Sequence, residues 1–387
     1  MSADRSSPIP FQRPQLPPAE RVEAYLSRSR ERHWFSNGGP CWQLLRDRLA
    51  ARIGASCVPV ASGTAGLMAV LAALHAETSR REAREALLPS FTFPATALAA
   101  MWAGLAPRLL DVDPQHWHLC PDQLERELHE RADRVACVLA VSAFGTPPPP
   151  AVRKRWQAAC SRADVPLIVD SAAGFGAIAS DGVPIGRQGD VEIVSFHATK
   201  PFAIGEGGAV FTRDAELCAR VELAVNFGLD ADRNARLPLA LNGKLSELHA
   251  ATALAVLDDF AAVLATRRAH AGALQRAADP ALAWQAECER STWQFVPVAF
   301  PDAAARAAAA RGARGRVETR SYYLPLHRMP GFRDAARADG DVAVTEALAE
   351  RLLCLPMAND LDADELLTIA AVVAAGVPAP SLVPQAS

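Results

Sequence analysis

Between residues 43 and 215, short apolar runs alternate with longer stretches in which apolar residues recur at helical spacing. The apolar runs predict strands at 85–89, 107–111, 135–141, 166–170, 191–196 and 209–212. The helical spacing predicts helices at 41–53, 64–75, 95–103, 121–129 and 151–162. Strands that are apolar throughout and separated by helices indicate a mainly parallel sheet with both faces covered. In such a sheet, ligands bind at the carboxyl ends of the strands.

The pattern changes in the second half of the chain. A long, largely apolar helix is predicted at 246–267, a β segment at 293–300, an alanine-rich helix at 302–311 that stops at Gly312, and a last helix at 362–375. We therefore predict three parts. They are an N-terminal segment at 1–35, a large α/β domain at 36–245, and the long helix with a smaller C-terminal α+β domain at 246–387.

Composition narrows the classes of function. The chain has 387 residues, half of them hydrophobic, and a net charge of −3, so it offers no basic face for nucleic acid. Its eight cysteines are scattered without CxxC spacing, which is typical of free thiols in a reducing compartment and not of a zinc site. No uninterrupted apolar run reaches about 18 residues, and residues 1–15 lack the apolar core of a signal peptide. We expect a cytoplasmic protein with no membrane segment and no metal ion.

The segment Val194-Ser195-Phe196-His197-Ala198-Thr199-Lys200 ends an apolar strand with a lysine, and the sequence Gly-Glu-Gly-Gly follows at 205–208. A lysine at a strand end usually points into solvent. If it is partly desolvated instead, it loses its proton more easily and becomes a nucleophile toward carbonyls. The glycines let the backbone turn tightly and approach another group closely. An imine with an aldehyde cofactor is the simplest chemical reason for such a lysine.

Other candidate residues also lie at the ends of predicted strands or the start of a predicted helix. Ser62-Gly63-Thr64 leads into an apolar helix whose first amides and dipole favour an anion, although ordinary helix capping explains the same residues. Asp170 ends a buried strand and could keep a pyridine nitrogen protonated. Phe93 follows another strand, where it could stack on a flat ring or pack in the core. Together with Lys200, these signals give the layout of a fold-type-I pyridoxal-phosphate enzyme.

These residues also carry a resemblance. Over nearly its whole length, the chain resembles the DegT/DnrJ/EryC1/StrS family of sugar aminotransferases, which use pyridoxal 5'-phosphate. The lysine segment with its Gly-Glu-Gly-Gly exit is the specific match. The other matching stretches lie at 36–40, 62–64, 89–93, 144–145, 170–172, 242–247, 323–327 and 355–357. The resemblance implies the fold of the aspartate aminotransferase class, with a large domain built on a mainly parallel, seven-stranded type of sheet.

The resemblance also implies residue roles at the cofactor. Lys200 forms the imine with pyridoxal 5'-phosphate and later shuttles protons. Asp170 pairs with the pyridinium nitrogen, and Phe93 stacks on the ring. The phosphate is held by Gly63, Thr64 and Ser195.

The resemblance also implies residues that contact the substrate and residues that act between two subunits. Asn242 would reach the phosphate of the neighbouring subunit's cofactor, which implies a homodimer with shared active sites. His327 and Lys244 would lie near the substrate.

Two departures from the family pattern affect these roles. Ala173 stands where the family commonly has a glutamine beside the cofactor's phenolic oxygen, so Ser171 or water could supply the lost hydrogen bond, or the cofactor could be tuned differently. Gly243-Lys244 stands where the family often has Tyr-Arg. Because lysine lacks the bidentate fork of arginine, the identity of the sugar nucleotide and of the amino donor is left open.

Our main hypothesis is an aminotransferase that moves an amino group, from glutamate, onto a nucleotide-linked keto sugar for deoxyaminosugar biosynthesis. One alternative is a related sugar dehydratase that works from the pyridoxamine form, and since such relatives replace the lysine with histidine, Lys200 argues against it. Another alternative is a non-catalytic protein that keeps the fold, which Ala173 and Lys244 would suit. The sequence leaves open the sugar, the aminated carbon, the nucleotide and the pathway, whether surface polysaccharide or secondary metabolite.

Overall fold

A computed structural model of the chain describes residues 7–75, 83–333 and 341–375. Its helices are α1 Ala19–Glu31, α2 Pro40–Ile53, α3 Gly63–His75, α4 Pro94–Trp102, α5 Pro121–Arg131, α6 Pro150–Ala163, α7 Ala215–Val225, α8 Glu247–Ala277, α9 Ala303–Ala313, α10 Ala343–Arg351 and α11 Ala363–Ala375. Its strands are β1 Ser56–Val60, β2 Glu85–Pro89, β3 Ala106–Leu110, β4 Val135–Val141, β5 Leu167–Asp170, β6 Val191–Ser195, β7 Gly208–Thr212, β8 Val296–Ala299 and β9 Leu352–Leu355.

The large sheet has seven strands in the order β1-β7-β6-β5-β4-β2-β3. The pairs formed among β2, β3, β4, β5 and β6 are parallel, whereas β7 runs antiparallel to both of its neighbours, β1 and β6. The strands of this sheet are almost entirely buried, as expected when helices cover both faces. The structure thus confirms the predicted α/β class with a mainly parallel seven-stranded sheet.

Helix α8 links two hydrophobic cores. Its first half, with Leu254 and Phe260, packs into a core under the sheet that also contains Phe175, whereas Ala271 and Leu274 near its end belong to a second core built on β8, β9, α9 and α11. The strands β8 and β9 form their own antiparallel pair. The proposed division at residues 35 and 245 stays a prediction, and its outer ends, residues 1–6 and 376–387, lie outside the described residues.

Helix α8 also bears on the expectation that the chain has no membrane segment. By length and composition it is apolar enough to cross a membrane. Asp258 and Asp259 divide its apolar runs, so no uninterrupted apolar run marks it in the sequence. Half of its most apolar window is buried inside the protein, which is typical of a core helix.

Most predicted elements are present, and their ends lie within two residues of the predicted ones. The exceptions are the helix predicted at 246–267, which continues to Ala277, and the β segment predicted at 293–300, of which only Val296–Ala299 is strand. The elements α1, α7, α10, β1 and β9 were not predicted from the sequence.

Candidate active site

The polar residues predicted at strand ends meet at one edge of the sheet. Asp170 is the last residue of β5 and Ser195 the last residue of β6, and these strands are parallel neighbours. Gly63 begins α3 directly after β1, whose neighbour β7 pairs with β6. Because the carboxyl ends of β5 and β6 lie side by side, residues far apart in sequence are brought together, as is usual for ligand sites in α/β sheets.

A cavity of about 480 Å³ opens at this edge. Six of the predicted residues line it, namely Lys200, Asp170, Gly63, Thr64, Phe93 and Ser195. Phe93 is 57 % exposed, so it is not a core residue and its ring is available to a bound molecule. A cavity of this size suits a ligand with the dimensions of a cofactor.

Lys200 and Asp170 form the charged pair of the cavity. Burial lowers the pKa of Lys200 to about 8, against the opposing attraction of Asp170. Burial also raises the pKa of Asp170 above its usual value, although hydrogen bonds from Thr96 and the Ala172 amide and the charge of Lys200 oppose this. Thr96 Oγ1 donates to Asp170 Oδ2 at 2.7 Å and the Ala172 N–H donates to Oδ1 at 3.1 Å, which fixes the carboxylate at the cavity wall.

The amino end of α3 forms a narrow cradle beside Ser195. A side chain on Gly63 would bring its Cβ to 3.0 Å from Ser195 Cβ, so a larger residue would press against Ser195 at the cavity wall. Ser62 Oγ accepts from the Ala65 N–H at 3.1 Å, which is ordinary helix capping. Capping and anion binding coexist here, because Ser62, Gly63 and Thr64 all line the cavity and the first helical amides carry partial positive charge.

A chain of hydrogen bonds lies next to Lys200. Lys200 Nζ donates to Gln294 Oε1 at 3.2 Å, and Gln294 Nε2 donates to Thr199 Oγ1 at 3.3 Å. Thr199 in turn contacts His197 Nδ1, at 2.8 Å through its hydroxyl and 3.2 Å through its amide. His197 Nε2 lies 3.6 Å from Glu206 Oε1. The sequence analysis had singled out the segment, but not Gln294.

The three remaining predicted residues do not line this cavity. His327 is held by Ser90 Oγ at 2.7 Å from Nδ1 and by Glu346 Oε1 at 3.2 Å from Nε2. Lys244 Nζ lies 4.4 Å from the centre of the Phe227 ring, and burial lowers the pKa of Lys244. Asn242 is exposed and pairs with Asn226 through the backbone. Their assigned roles stay predictions.

The structure also places residues in the cavity that sequence reasoning missed. They are Gln12 from the N-terminal segment and Gln294, Phe295, Tyr322 and Tyr323 from the second half of the chain. Apart from Tyr323, which begins the matching stretch 323–327, no local pattern marks them, because they reach the site through the packing of distant segments. Ser171, considered as a substitute for the missing glutamine, bonds instead to Ser142 Oγ at 2.7 Å and to Glu192, both buried.

The described residues fit pyridoxal phosphate at this site. The cradle at Gly63 suits the anion, Asp170 offers a buried carboxylate acceptor, and Lys200 offers a partly desolvated amine. Among the described residues there is no group of three or more side chains that could hold a metal ion, and all eight cysteines are free. The arrangement can therefore bind a phosphate-bearing aldehyde and move a proton at Lys200 Nζ.

Comparison with known proteins agrees with this chemistry. A sequence model of the DegT/DnrJ/EryC1/StrS aminotransferase family matches residues 19–374. Protein Rv3402c of Mycobacterium tuberculosis is 35% identical over 377 residues, which cover 94% of this chain and 89% of the relative. A crystal structure from Bacillus cereus ATCC 10987, assigned as a PLP-dependent aminotransferase, aligns with a TM-score of 0.85 at 28% identity and covers 95% of this chain and 99% of that one. The crystal structure of DesI in the presence of its TDP-sugar product aligns with a TM-score of 0.83 at 31% identity, over 95% of this chain and 92% of that one.

Proposed function

We propose that this chain, which belongs to the DegT/DnrJ/EryC1/StrS aminotransferase family, transfers an amino group from glutamate to a keto sugar carried on a nucleotide diphosphate. The chain is a PLP-dependent aminotransferase, and its named relatives support a sugar as acceptor. The observation that carries the proposal is that Lys200 and Asp170 line one cavity together with Gly63, at the amino end of α3. The TDP-sugar product of DesI supports a nucleotide-linked substrate.

The cofactor's place follows from the residues around the cavity. The amino end of α3 at Gly63 and Thr64, with Ser195, would hold its phosphate, and Asp170 would face its ring nitrogen. Phe93, which is exposed in the cavity, would cover one face of the ring. When bound, pyridoxal phosphate supplies an aldehyde carbon for amines and a protonated ring that accepts electrons.

Lys200 moves the proton. Because its pKa is lowered to about 8, a useful fraction of the amine is neutral near pH 7 to 8 and can act as a base. Nζ would take the α-proton of the amino donor and return a proton on the keto-sugar side. The contact with Gln294 keeps the amine inside the cavity.

Asp170 keeps the opposite end of the site negative. Its carboxylate is buried and fixed by Thr96 and the Ala172 amide, so it need not reorganise when it accepts a hydrogen bond from a ring N–H. Although burial raises its pKa, a cationic ring nitrogen would favour the ionised carboxylate. This pair of charges lets the ring withdraw electrons while Lys200 handles the proton.

The finer parts of the proposal concern substrates and assembly. Asn242 and Lys244 lie outside the cavity of their own chain, which suits a homodimer in which Asn242 reaches the partner's cofactor phosphate. Phe227, beside Lys244, is 49% exposed, as a subunit contact would require. His327 and Lys244 would contact the sugar nucleotide. We place the protein in the cytoplasm, where such substrates are made.

The proposed half-reactions can be followed by spectroscopy. The purified protein loaded with pyridoxal phosphate should lose its visible cofactor absorbance when glutamate is added, and a nucleotide-linked keto sugar should restore it. The chain has three lysines, Lys154, Lys200 and Lys244, so borohydride reduction followed by peptide mapping should label Lys200 alone. Lys200→Ala should abolish both changes, and the surface control Lys154→Ala should behave as wild type.

Each of these experiments tests a different part of the proposed function. If no plausible amino acid converts the cofactor, transamination is wrong. If another donor acts and glutamate does not, the donor assignment is wrong. If the label lies on Lys154 or Lys244, the proposed site is wrong.

A further inference from the structure

Gln294 is a buried polar side chain in the wall of the cavity. Only 6% of the residue is exposed, and it lies in the segment between α8 and β8, outside the sheet that supplies Lys200 and Asp170. Its two amide atoms contact two consecutive residues of the lysine segment, Thr199 and Lys200. A buried amide needs partners for both its oxygen and its nitrogen, and this side chain has one for each.

The neighbouring groups fix which way the amide points. In the ammonium form Lys200 can only donate, so the atom of Gln294 that faces its Nζ in that form is the oxygen, at 3.2 Å. On the other side, the Thr199 hydroxyl lies 2.8 Å from His197 Nδ1, which accepts the Thr199 amide at 3.2 Å. The hydroxyl therefore donates to Nδ1 and its oxygen is free to accept from Gln294 Nε2.

The backbone that carries Gln294 is fixed onto the large sheet's loops. Ser291 Oγ donates to the Phe144 carbonyl at 3.1 Å, and Thr292 Oγ1 donates to the Ala173 carbonyl at 2.6 Å. The fit is close, since a Cβ on Gly145 would lie 2.5 Å from Thr292 Oγ1. These bonds hold the segment in place without help from Gln294. The Gln294 amide is therefore not needed to join this segment to the loops of the large sheet.

We propose that Gln294 is a positioning residue, which holds the amine of Lys200 through Oε1 while Nε2 anchors it to Thr199. The proposal rests on the role of Lys200 given above. Whenever the lysine is free of the cofactor, it would otherwise have several rotamers open to it. With a fixed acceptor from a separate segment, Nζ stays at one place inside the cavity, and proton transfer would not wait for the side chain to return.

The contact can be measured on the full-length chain freed of cofactor, independently of turnover. Because the chain has three lysines, reductive methylation with ¹³C-formaldehyde gives few lysine signals, which NMR can follow through a pH titration. Gln294→Met keeps the side chain's length and removes the acceptor, so the Lys200 midpoint should fall by about half a unit or more. Gln294→Glu places a negative charge at the same point and should raise the midpoint by about one unit or more.

Gln12→Met is the matched control. Gln12 lines the same cavity, but its amide contacts the Thr199 carbonyl, at 3.5 Å, and not the lysine. Its variant should leave the Lys200 midpoint where it is in the wild type. The proposal is overturned if Gln294→Met leaves the midpoint unmoved, or if Gln294→Glu fails to raise it. Should the methionine variant not fold, the glutamate variant alone decides.

Steady-state kinetics separate positioning from substrate binding. Gln294→Met should lower kcat about tenfold or more with little change in the KM of the amino donor. A rise in KM with kcat unchanged would place Gln294 at the substrate and overturn the proposal. If instead peptide mapping shows that Lys200 does not carry the cofactor while the titration shifts appear, the contact is real and the proposed function is what failed.

Discussion

Three ionisable side chains in or beyond β5 and β6 are buried or half-buried. Lys200 and Asp170 face the cavity, whereas Glu192 lies in β6 and is completely buried. Burial disfavours the charged form of each, so it lowers the pKa of the lysine to about 8 and raises that of Asp170. For Glu192, burial outweighs three hydrogen bonds and raises the pKa to about 7. Of the three, only Lys200 and Asp170 line the cavity and can contact a ligand.

Glu192 gives a stability prediction with a definite sign. Its pKa is raised from an ordinary value of 4.5 to about 7 in the folded protein. The folded state therefore holds a proton that the unfolded chain has lost, and this contribution is present below pH 4.5 and disappears as the pH rises through 7. Across that window, the stability of the wild type relative to Glu192→Gln should fall by about 3 kcal/mol.

Urea unfolding of both proteins at several pH values measures this difference. The glutamine oxygen can replace the carboxylate oxygen that accepts the Gly186 and Gln188 amides at 2.6 and 2.8 Å, so the variant should fold. A difference in the free energy of unfolding that does not change between pH 5 and 8 would contradict the prediction.

The residues that sequence reasoning found share one property. Lys200, Asp170 and Ser195 each end an apolar strand or follow one closely, and Gly63 begins a helix, so a break in the local pattern marks them. Gln294 and Phe295 lie in a segment with no such break, and only packing brings them to the cavity. The missing glutamine at Ala173 is visible only through the resemblance to the family pattern, whereas the buried amide of Gln294 beside Lys200 follows from packing.

At the scale of elements, a single carboxylate joins three helices. Glu247, in the first turn of α8, accepts from Ser29 Oγ in α1 at 2.6 Å and from the Cys41 and Trp42 amides of α2 at 2.7 and 2.9 Å. The amides belong to the first turn of α2, which has no helical carbonyl for them. The space is tight, because a Cβ on Gly39 would lie 2.6 Å from Glu247 Cδ.

Removal of this carboxylate should therefore be costly. Glu247→Ala leaves buried donors without an acceptor and should lower the free energy of unfolding by about 3–5 kcal/mol. Glu247→Gln keeps one acceptor oxygen and should cost less. Chemical denaturation measures both.

Glu23→Ala is the comparison, since Glu23 forms an exposed ion pair with Arg30 at 2.8 Å and such pairs are worth about 0–1 kcal/mol. Equal losses at Glu247 and Glu23 would show that the junction of the three helices is not stabilised in this way.

There are physical reasons why some elements and boundaries were not predicted from the sequence. Strand β1 contains Pro59, which argues against a central strand, but β1 lies at the edge of the sheet, where proline is tolerated. Helix α8 was expected to end at Arg267, but this guanidinium is buried and donates to the Trp293 carbonyl at 2.8 Å and to Asn359 Oδ1 at 2.7 Å. The helix continues to Ala277, where Ala271 and Leu274 pack into the second core. Helix α7 did carry a signal, since Asp214 accepts from the Glu216 and Leu217 amides.

At the scale of the whole molecule, the site combines distant parts of the chain. Gln12 comes from the N-terminal segment, Lys200 from the sheet, and Gln294 and Tyr323 from beyond α8. The N-terminal segment is held by paired contacts, since Ile9 bridges to Val317 and Gln12 reaches the Thr199 carbonyl. The lysine's surroundings thus depend on all three parts folding together.

The shared-site proposal is tested by mixing two inactive variants. Lys200→Ala removes the amine, and Asn242→Ala removes a side chain that we expect to act in the partner's site. If sites are shared, a mixed dimer has one site with both changes and one intact site, so co-expression should restore about a quarter of wild-type activity.

No recovery, with mixed dimers shown to form, would place Asn242 and Lys200 in the same site or remove Asn242 from it. Sedimentation of the wild type as a monomer would contradict the homodimer itself. Lys154→Ala in place of Lys200→Ala is the control for expression, and its mixture should show the activity of the Lys154→Ala subunits.

The sequence by itself determined the α/β class and most strands and helices of the large domain, and it singled out Lys200, Asp170 and Gly63, which line the cavity. Each of these leaves a local mark, such as apolar periodicity, a polar residue at a strand end, or a glycine at a helix start. Tertiary structure alone decided that β7 runs antiparallel between β1 and β6, and that Gln294 meets Lys200 while Ser171 turns to Glu192. Such contacts join residues separated by tens of positions, so they depend on how whole elements pack, and short-range sequence patterns carry no record of that packing.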